Sequence, residues 1–181
     1  MQKEDEFDQR CRLICENYYR DVYRFLVYFT GNQTCAEDLT QEVFIRAMEA
    51  LKRYEERSSM KTWILGIAKH VAIDHARKQK IRSWFGLEKV QDITSRIGYP
   101  ETEIQAKEER EQLREAMLKL KPKFRNVVIF RGLKELSIKE TAEILGCSEA
   151  KVRVDYHRAV KELKGHLQGF REGEWERGLS R

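Results

Sequence analysis

The chain has 181 residues, of which 41% are hydrophobic and 36% charged, and a formal net charge of +5. That length holds one compact domain or two small ones, and so high a charged fraction points to small helical units with large solvated faces. Two prolines and 10 glycines argue against a loop-rich or low-complexity chain.

No apolar run approaches the roughly 18 residues of a membrane span, and the opening Met-Gln-Lys-Glu-Asp is not a signal peptide, so a cytoplasmic protein is expected. Residues 1–62 carry 10 basic and 12 acidic side chains, a net of −2, whereas residues 63–99 carry 7 basic and 3 acidic, a net of +4. A nucleic-acid contact requires such a local excess of cations. Cys11, Cys15, Cys35 and Cys147 form no CxxC pair and no zinc-type spacing, as expected of small apolar side chains in a reducing compartment.

Phe7, Cys11, Ile14, Tyr18, Val22, Phe25 and Phe29 recur at steps of three and four, which predicts a long amphipathic helix ending at Gly31-Asn32. Thr34 and Glu37 have capping-box spacing, so a second helix is predicted from there to about Leu51. The polar stretch Lys52–Ser59 reads as a loop. A third helix follows over about Lys61–Arg82, burying Trp63, Ile64, Ile67, Ala68, Val71 and Ile73. Residues 84–101 read as a flexible linker, although Trp84, Phe85 and Leu87 are apolar enough to dock onto a partner.

Thr102 and Gln105 again have capping-box spacing, opening a helix to about Leu120, and Pro122 permits a new start carrying Phe124, Val127, Val128, Ile129 and Phe130. Ser137 and Glu140 form a third capping-box pair, Gly146 marks a tight turn, and Ser148 caps a last helix to about Leu167. The fold class is therefore all-α, in two small bundles, with a tail over residues 169–181.

Residues 138–158 have the layout of a helix-turn-helix. Ala142 is small where two helices approach, Gly146 supplies the positive backbone angle, and Val152 buries the inner face, with Leu145 and Tyr156 completing the core. Glu149, Lys151, Arg153, Val154, Asp155, His157 and Arg158 then remain exposed, as a helix entering a major groove requires. A plain helical hairpin would satisfy the same spacing.

Asp38-Leu-Thr-Gln-Glu-Val-Phe-Ile-Arg-Ala47 and Lys61-Thr-Trp-Ile-Leu-Gly-Ile-Ala-Lys-His-Val-Ala-Ile-Asp-His-Ala-Arg-Lys78 resemble region 2 of the extracytoplasmic-function sigma factors. Leu136–Gly146, followed by Lys151–Ala159, resembles their region 4, and the segment Met60–Lys78 is similar to the sigma-X subgroup. The motifs span nearly all of residues 10–165 in the family's order. The resemblance implies a region 2 domain over 1–83 and a region 4 domain over 102–168.

It further implies a non-enzymatic subunit that binds core RNA polymerase, through the beta-prime coiled-coil and the beta subunit, and directs it to promoter DNA. An anti-sigma factor, anchored in the membrane, is the implied inhibitor, with no cofactor and no small-molecule substrate. By this resemblance Asp38, Gln41, Glu42, Ile45 and Arg46 contact polymerase. Arg57, Ser58, Ser59, Lys61, Lys69, His70, Arg77 and Lys78 meet the −10 element; Ser148, Lys151, Arg153, Val154, His157 and Arg158 meet the −35 element.

The family often has Asn at His70, Ser or Thr at Val154, and a basic residue at Asp155, so promoter preference is expected to differ there. Val154 could contact a thymine methyl, whereas Asp155 would repel phosphate unless it faces away or pairs with a nearby cation. His70, Asp74 and His75 have a spacing that could be read as metal ligands, but DNA contact and helix packing account for them. A stand-alone helix-turn-helix regulator would explain residues 138–158 and leave Asp38–Arg46 idle. A nucleic-acid enzyme finds no metal-spaced carboxylates, nucleophile–base pair or phosphate-binding glycine loop here.

Overall fold

The computed structural model describes residues 2–85 and 104–167. The chain divides into two compact units, Met1–Arg96 and Ile97–Arg181. Both are built of helices alone among the described residues. The predicted capping box at Thr102 and the side chain of Leu87 lie outside the described residues, as does the tail.

The first unit consists of α1 (Gln2–Thr30), α2 (Gln33–Leu51) and α3 (Met60–Trp84). The three pack on one another through Val22, Phe25, Leu26 and Phe29 of α1, Leu39, Val43, Phe44 and Ala47 of α2, and Ile64, Leu65, Ala68 and Val71 of α3, all buried. α1 stops because Gly31 takes a left-handed φ of 67° and its N–H donates to the Val27 carbonyl at 2.8 Å.

The N-cap of α2 corrects the sequence expectation. Asn32, not Thr34, holds that position, its side chain accepting from the Cys35 N–H at 2.8 Å. The asparagine follows the glycine that ended α1, so one short turn closes a helix and opens the next. α3 begins at Ser59, whose hydroxyl accepts from the Thr62 N–H at 3.1 Å. Trp63, Ile67 and Ile73 are only half-buried, while Leu65 and Ala72, absent from the predicted set, are fully buried.

The second unit comprises α4 (Ile104–Lys119), α5 (Pro122–Val128) running into a π-helical turn (Ile129–Leu133), α6 (Ile138–Leu145) and α7 (Glu149–His166). Pro122 stands in the first turn of α5, where its missing N–H costs nothing. The half-buried Arg125 side chain closes α4: its Nε donates to the Met117 carbonyl at 2.9 Å and an amino group donates to those of Leu118 and Leu120. Burial lowers this guanidinium to about 10.

α6 opens with the predicted capping box, Ser137 accepting from the Glu140 N–H at 3.1 Å while Glu140 accepts from the Ser137 N–H at 2.8 Å. It closes at Gly146, with φ 66° and ψ 43°. Val152 and Ala142 are buried as expected, but Leu145 and Tyr156 are half-buried. Ile144, Ala159 and Leu163 complete the core in their place, because they lie on the faces of α6 and α7 that turn inward. No helix among the described residues is long and apolar enough to cross a membrane.

Candidate nucleic-acid interface

α2 presents a continuous outer face. Asp38, Gln41, Glu42, Ile45 and Arg46 follow steps of three and four, opposite the buried Leu39, Val43 and Ala47. Ile45 is 60% exposed, an apolar side chain among polar neighbours. Arg46 is engaged from both sides, its guanidinium donating to Glu42 Oε1 at 2.5 Å and to Asp74 Oδ2 on α3 at 3.5 Å. Asp74 in turn lies 3.9 Å from Arg77. These half-exposed pairs add little stability individually, about 1 kcal/mol or less each, but they fix the α2 face against α3.

A second link joins the same helices. Cys35 Sγ lies 3.3 Å from His75 Nε2. Burial pushes the Cys35 thiol up to about 11. Burial, followed by the charges of Arg82 and Lys78, holds His75 below its ordinary value. At neutral pH a protonated thiol therefore meets a neutral imidazole, and the contact ties α2 to α3. Among the described residues no group of three or more side chains is placed to hold a metal ion.

The residues expected at the −10 element separate into two sets. Ser59 is occupied as the α3 cap, and the Ser58 carbonyl accepts from the Tyr54 hydroxyl at 2.5 Å. The Tyr54 ring packs on Trp63 with centroids 4.9 Å apart, which holds the loop, and the exposed Arg57 pairs with Glu55 at 2.5 Å. Lys61 reaches Asp21 of α1 at 3.1 Å. Lys61 and His70 are nine residues apart, half a helical turn out of phase. Lys69 is only 7% exposed. The outward face of α3 is thus His70, Arg77 and, at its flank, Lys78, without Lys61 or Lys69. Desolvation, then the Lys69 ammonium, lowers His70 below its ordinary value, so its ring meets a ligand uncharged at neutral pH.

On α7 the exposed side chains sweep roughly 160° at 100° per residue, from Arg153 through His157, Ala150 and Val154 to Arg158 and Lys151. Ser148 is the N-cap, accepting from the Lys151 N–H at 3.3 Å. Asp155 is paired, accepting from Lys151 Nζ at 2.7 Å, and Arg153 donates to Glu149 at 3.2 Å. Arg158 and His157 have no carboxylate partner among the described residues. Val154 is 49% exposed in the middle of this arc.

Sequence reasoning missed three further cations. A groove of about 550 Å³ beside the arc is lined by Arg131, Lys161 and Lys164 together with Arg153 and His157. The spacing of Arg153, His157, Lys161 and Lys164 at four, four and three was a legible signal. Arg131, on the π-helical turn, was not: its guanidinium is brought there by donating to the Leu136 carbonyl and lying 5.8 Å from the Tyr156 ring centre.

Known proteins share this architecture. The family models described as Sigma-70 region 2 and Sigma-70, region 4 match residues 14–82 and 110–163. The ECF RNA polymerase sigma factor SigX of Bacillus subtilis (strain 168) is 36% identical over 170 residues, 91% of this chain and 87% of SigX. Among solved structures, the sigma factor RpoE in complex with the anti-sigma factor NepR from Bartonella quintana has a TM-score of 0.65 at 22% identity, covering 92% of this chain and 99% of that one. The same fold also matches CnrH, solved in complex with the cytosolic domain of CnrY, with a TM-score of 0.66 at 18% identity, covering 91% of each chain.

A three-helix region 2 and a helix-turn-helix region 4 in one chain define a non-enzymatic transcription initiation factor of the Sigma-70 kind. The chain belongs to the ECF RNA polymerase sigma factors. The region 2 match leaves no place for a stand-alone helix-turn-helix regulator.

Proposed function

We propose that this sigma factor engages core RNA polymerase through the α2 face Asp38, Gln41, Glu42, Ile45 and Arg46, reads the −10 element with α3 and reads the −35 element with α7. The observation that carries this is the single outward face of α2, acidic and amide groups around an exposed isoleucine, tied by Arg46 and Asp74 to the helix that presents His70 and Arg77. A polar rim around an apolar centre suits a protein contact, here the beta-prime coiled-coil, with region 4 toward the beta subunit.

On α3 the readers are His70, Arg77 and Lys78, with Arg57 in the preceding loop; Ser58, Ser59, Lys61 and Lys69 hold that surface in shape. On α7, Arg153, Arg158 and His157 address base edges or phosphates, Val154 addresses a thymine methyl, and Ser148 and Lys151 position the helix. Arg131, Lys161 and Lys164 follow a phosphate strand. An anti-sigma factor, anchored in the membrane, covers these faces until a signal releases it. The sigma factor RpoE, of like fold and solved with the anti-sigma factor NepR, supports the binding of such an inhibitor.

Pull-down of core polymerase tests the α2 assignment. Gln41→Ala with Glu42→Ala should weaken capture at least about tenfold, the loss of one or two charge-assisted contacts. Arg153→Ala should leave capture intact and weaken promoter-specific transcription, by about 1–3 kcal/mol in DNA affinity. Capture unchanged by the α2 double substitution would overturn the polymerase face.

A further inference from the structure

The last eight residues of α3, Arg77–Trp84, and its cap Phe85 are all exposed, so the helix runs on past the core that buries its first half. That segment holds Arg77, Lys78, Lys80 and Arg82 and no acidic residue. It also carries large apolar side chains in the open: Ile81, Trp84, 89% exposed, and Phe85, 73% exposed. A surface helix ordinarily directs such residues at a core. Among the described residues of the unit, none covers them.

Their placement is regular. Trp63, His70, Arg77 and Trp84 recur every seven residues, and a straight helix drifts only about 20° per seven residues. His70, Arg77 and Trp84 therefore form one stripe about 21 Å long at 1.5 Å per residue, with Ile81 close beside it. Lys78 and Lys80 stand about 80° to either side of His70 on the helix wheel, at 100° per residue. The stripe proposed to meet the −10 element thus continues, without a change of face, to the exposed Trp84 ring, and Phe85 follows at the cap, about 100° round the axis toward Lys78.

We propose that Trp84 and Phe85 are a stacking platform for unpaired bases of promoter DNA, with Arg77, Lys78, Lys80 and Arg82 neutralising the strand's phosphates. Exposed rings flanked by cations suit a single strand because only unstacked bases offer a free π face, and stacking tolerates any base. A duplex offers none. The segment is a convex rod rather than a cleft, which favours a strand laid along it over an acidic protein helix seeking a groove. The platform rests on the −10 assignment to α3 and extends it: bases beyond those met by His70 and Arg77 are held without being read.

The test uses holoenzyme assembled from core polymerase and the full chain, on a fork-junction DNA made from a promoter that holoenzyme selects from genomic fragments. Trp84→Ala with Phe85→Ala should weaken fork binding about tenfold, within the range of stacking losses for one or two bases. The same change should spare core polymerase capture and fully duplex DNA. Trp84→Phe should restore most of the loss. A photo-crosslinking phenylalanine analogue placed at Trp84 should label the DNA strand.

Fork binding unchanged by the double substitution, or a crosslink to a polymerase subunit or an added anti-sigma factor, overturns the platform. His70→Ala and Arg77→Ala, measured alongside, separate the two levels. If they weaken fork binding and the aromatic substitutions do not, only the platform fails; if none does, the −10 assignment of α3 fails with it.

Discussion

Val154 stands about half exposed in an arc of cations, and its two methyl groups can add only apolar contact to that arc. A thymine methyl buried against it contributes roughly 0.8 kcal/mol, about fourfold in affinity. Replacing single thymines in the −35 element with uracil should cost about that much at one position, read by holoenzyme binding, and Val154→Ala should abolish the difference. Undiminished discrimination in that variant would remove Val154 from the contact. The histidines set a different expectation. His70 and His75 both lie below the ordinary value of 6.5, chiefly through desolvation, so the unfolded chain binds more protons than the folded one as pH drops through 6.5. Unfolding free energy therefore falls on acidification and is flat above about pH 7. Thermal melts between about pH 8 and pH 5 should show this. His75→Asn should flatten the slope, and an unchanged slope would place the titration elsewhere.

At the level of elements, caps and turns decide where helices begin and end. Ser137→Ala removes a reciprocal capping box and should destabilise the second unit by about 1 kcal/mol. Gly146→Ala places a Cβ on a left-handed residue and should cost about 1–2 kcal/mol, although the space around it is open. Denaturant melts check both; a neutral Gly146→Ala would mean that the turn relaxes. These features were legible because Ser137, Glu140, Gly146 and Ser148 each have one local reading. Thr34 was misread because Asn32 offers the same acceptor two residues earlier, directly after the left-handed Gly31. Phase was also legible yet unused. Counting nine residues from Lys61 to His70 shows that they cannot share a face, whereas motif similarity groups them. The burial of Lys69 and the seating of Arg131 on a π-helical turn depend on tertiary packing, and no local pattern carries either.

On the scale of the whole chain, each unit has its own buried core and its own proposed ligand. Residues 1–96, expressed alone, should capture core polymerase as the full chain does and lose only the contribution of the −35 element to promoter choice. Failure to capture would place an essential polymerase contact in region 4. The helical class and the order of the two regions could be read from periodicity and motifs, because short-range hydrophobic spacing dictates both. Separate cores also bear on heredity. A substitution on α7 answers to the packing of its own unit and not to that of α3, so the two halves of a promoter preference can drift, or be exchanged between sigma factors, one at a time. A chimera carrying another member's residues 97–181 would inherit a new upstream preference and keep the old site of strand opening.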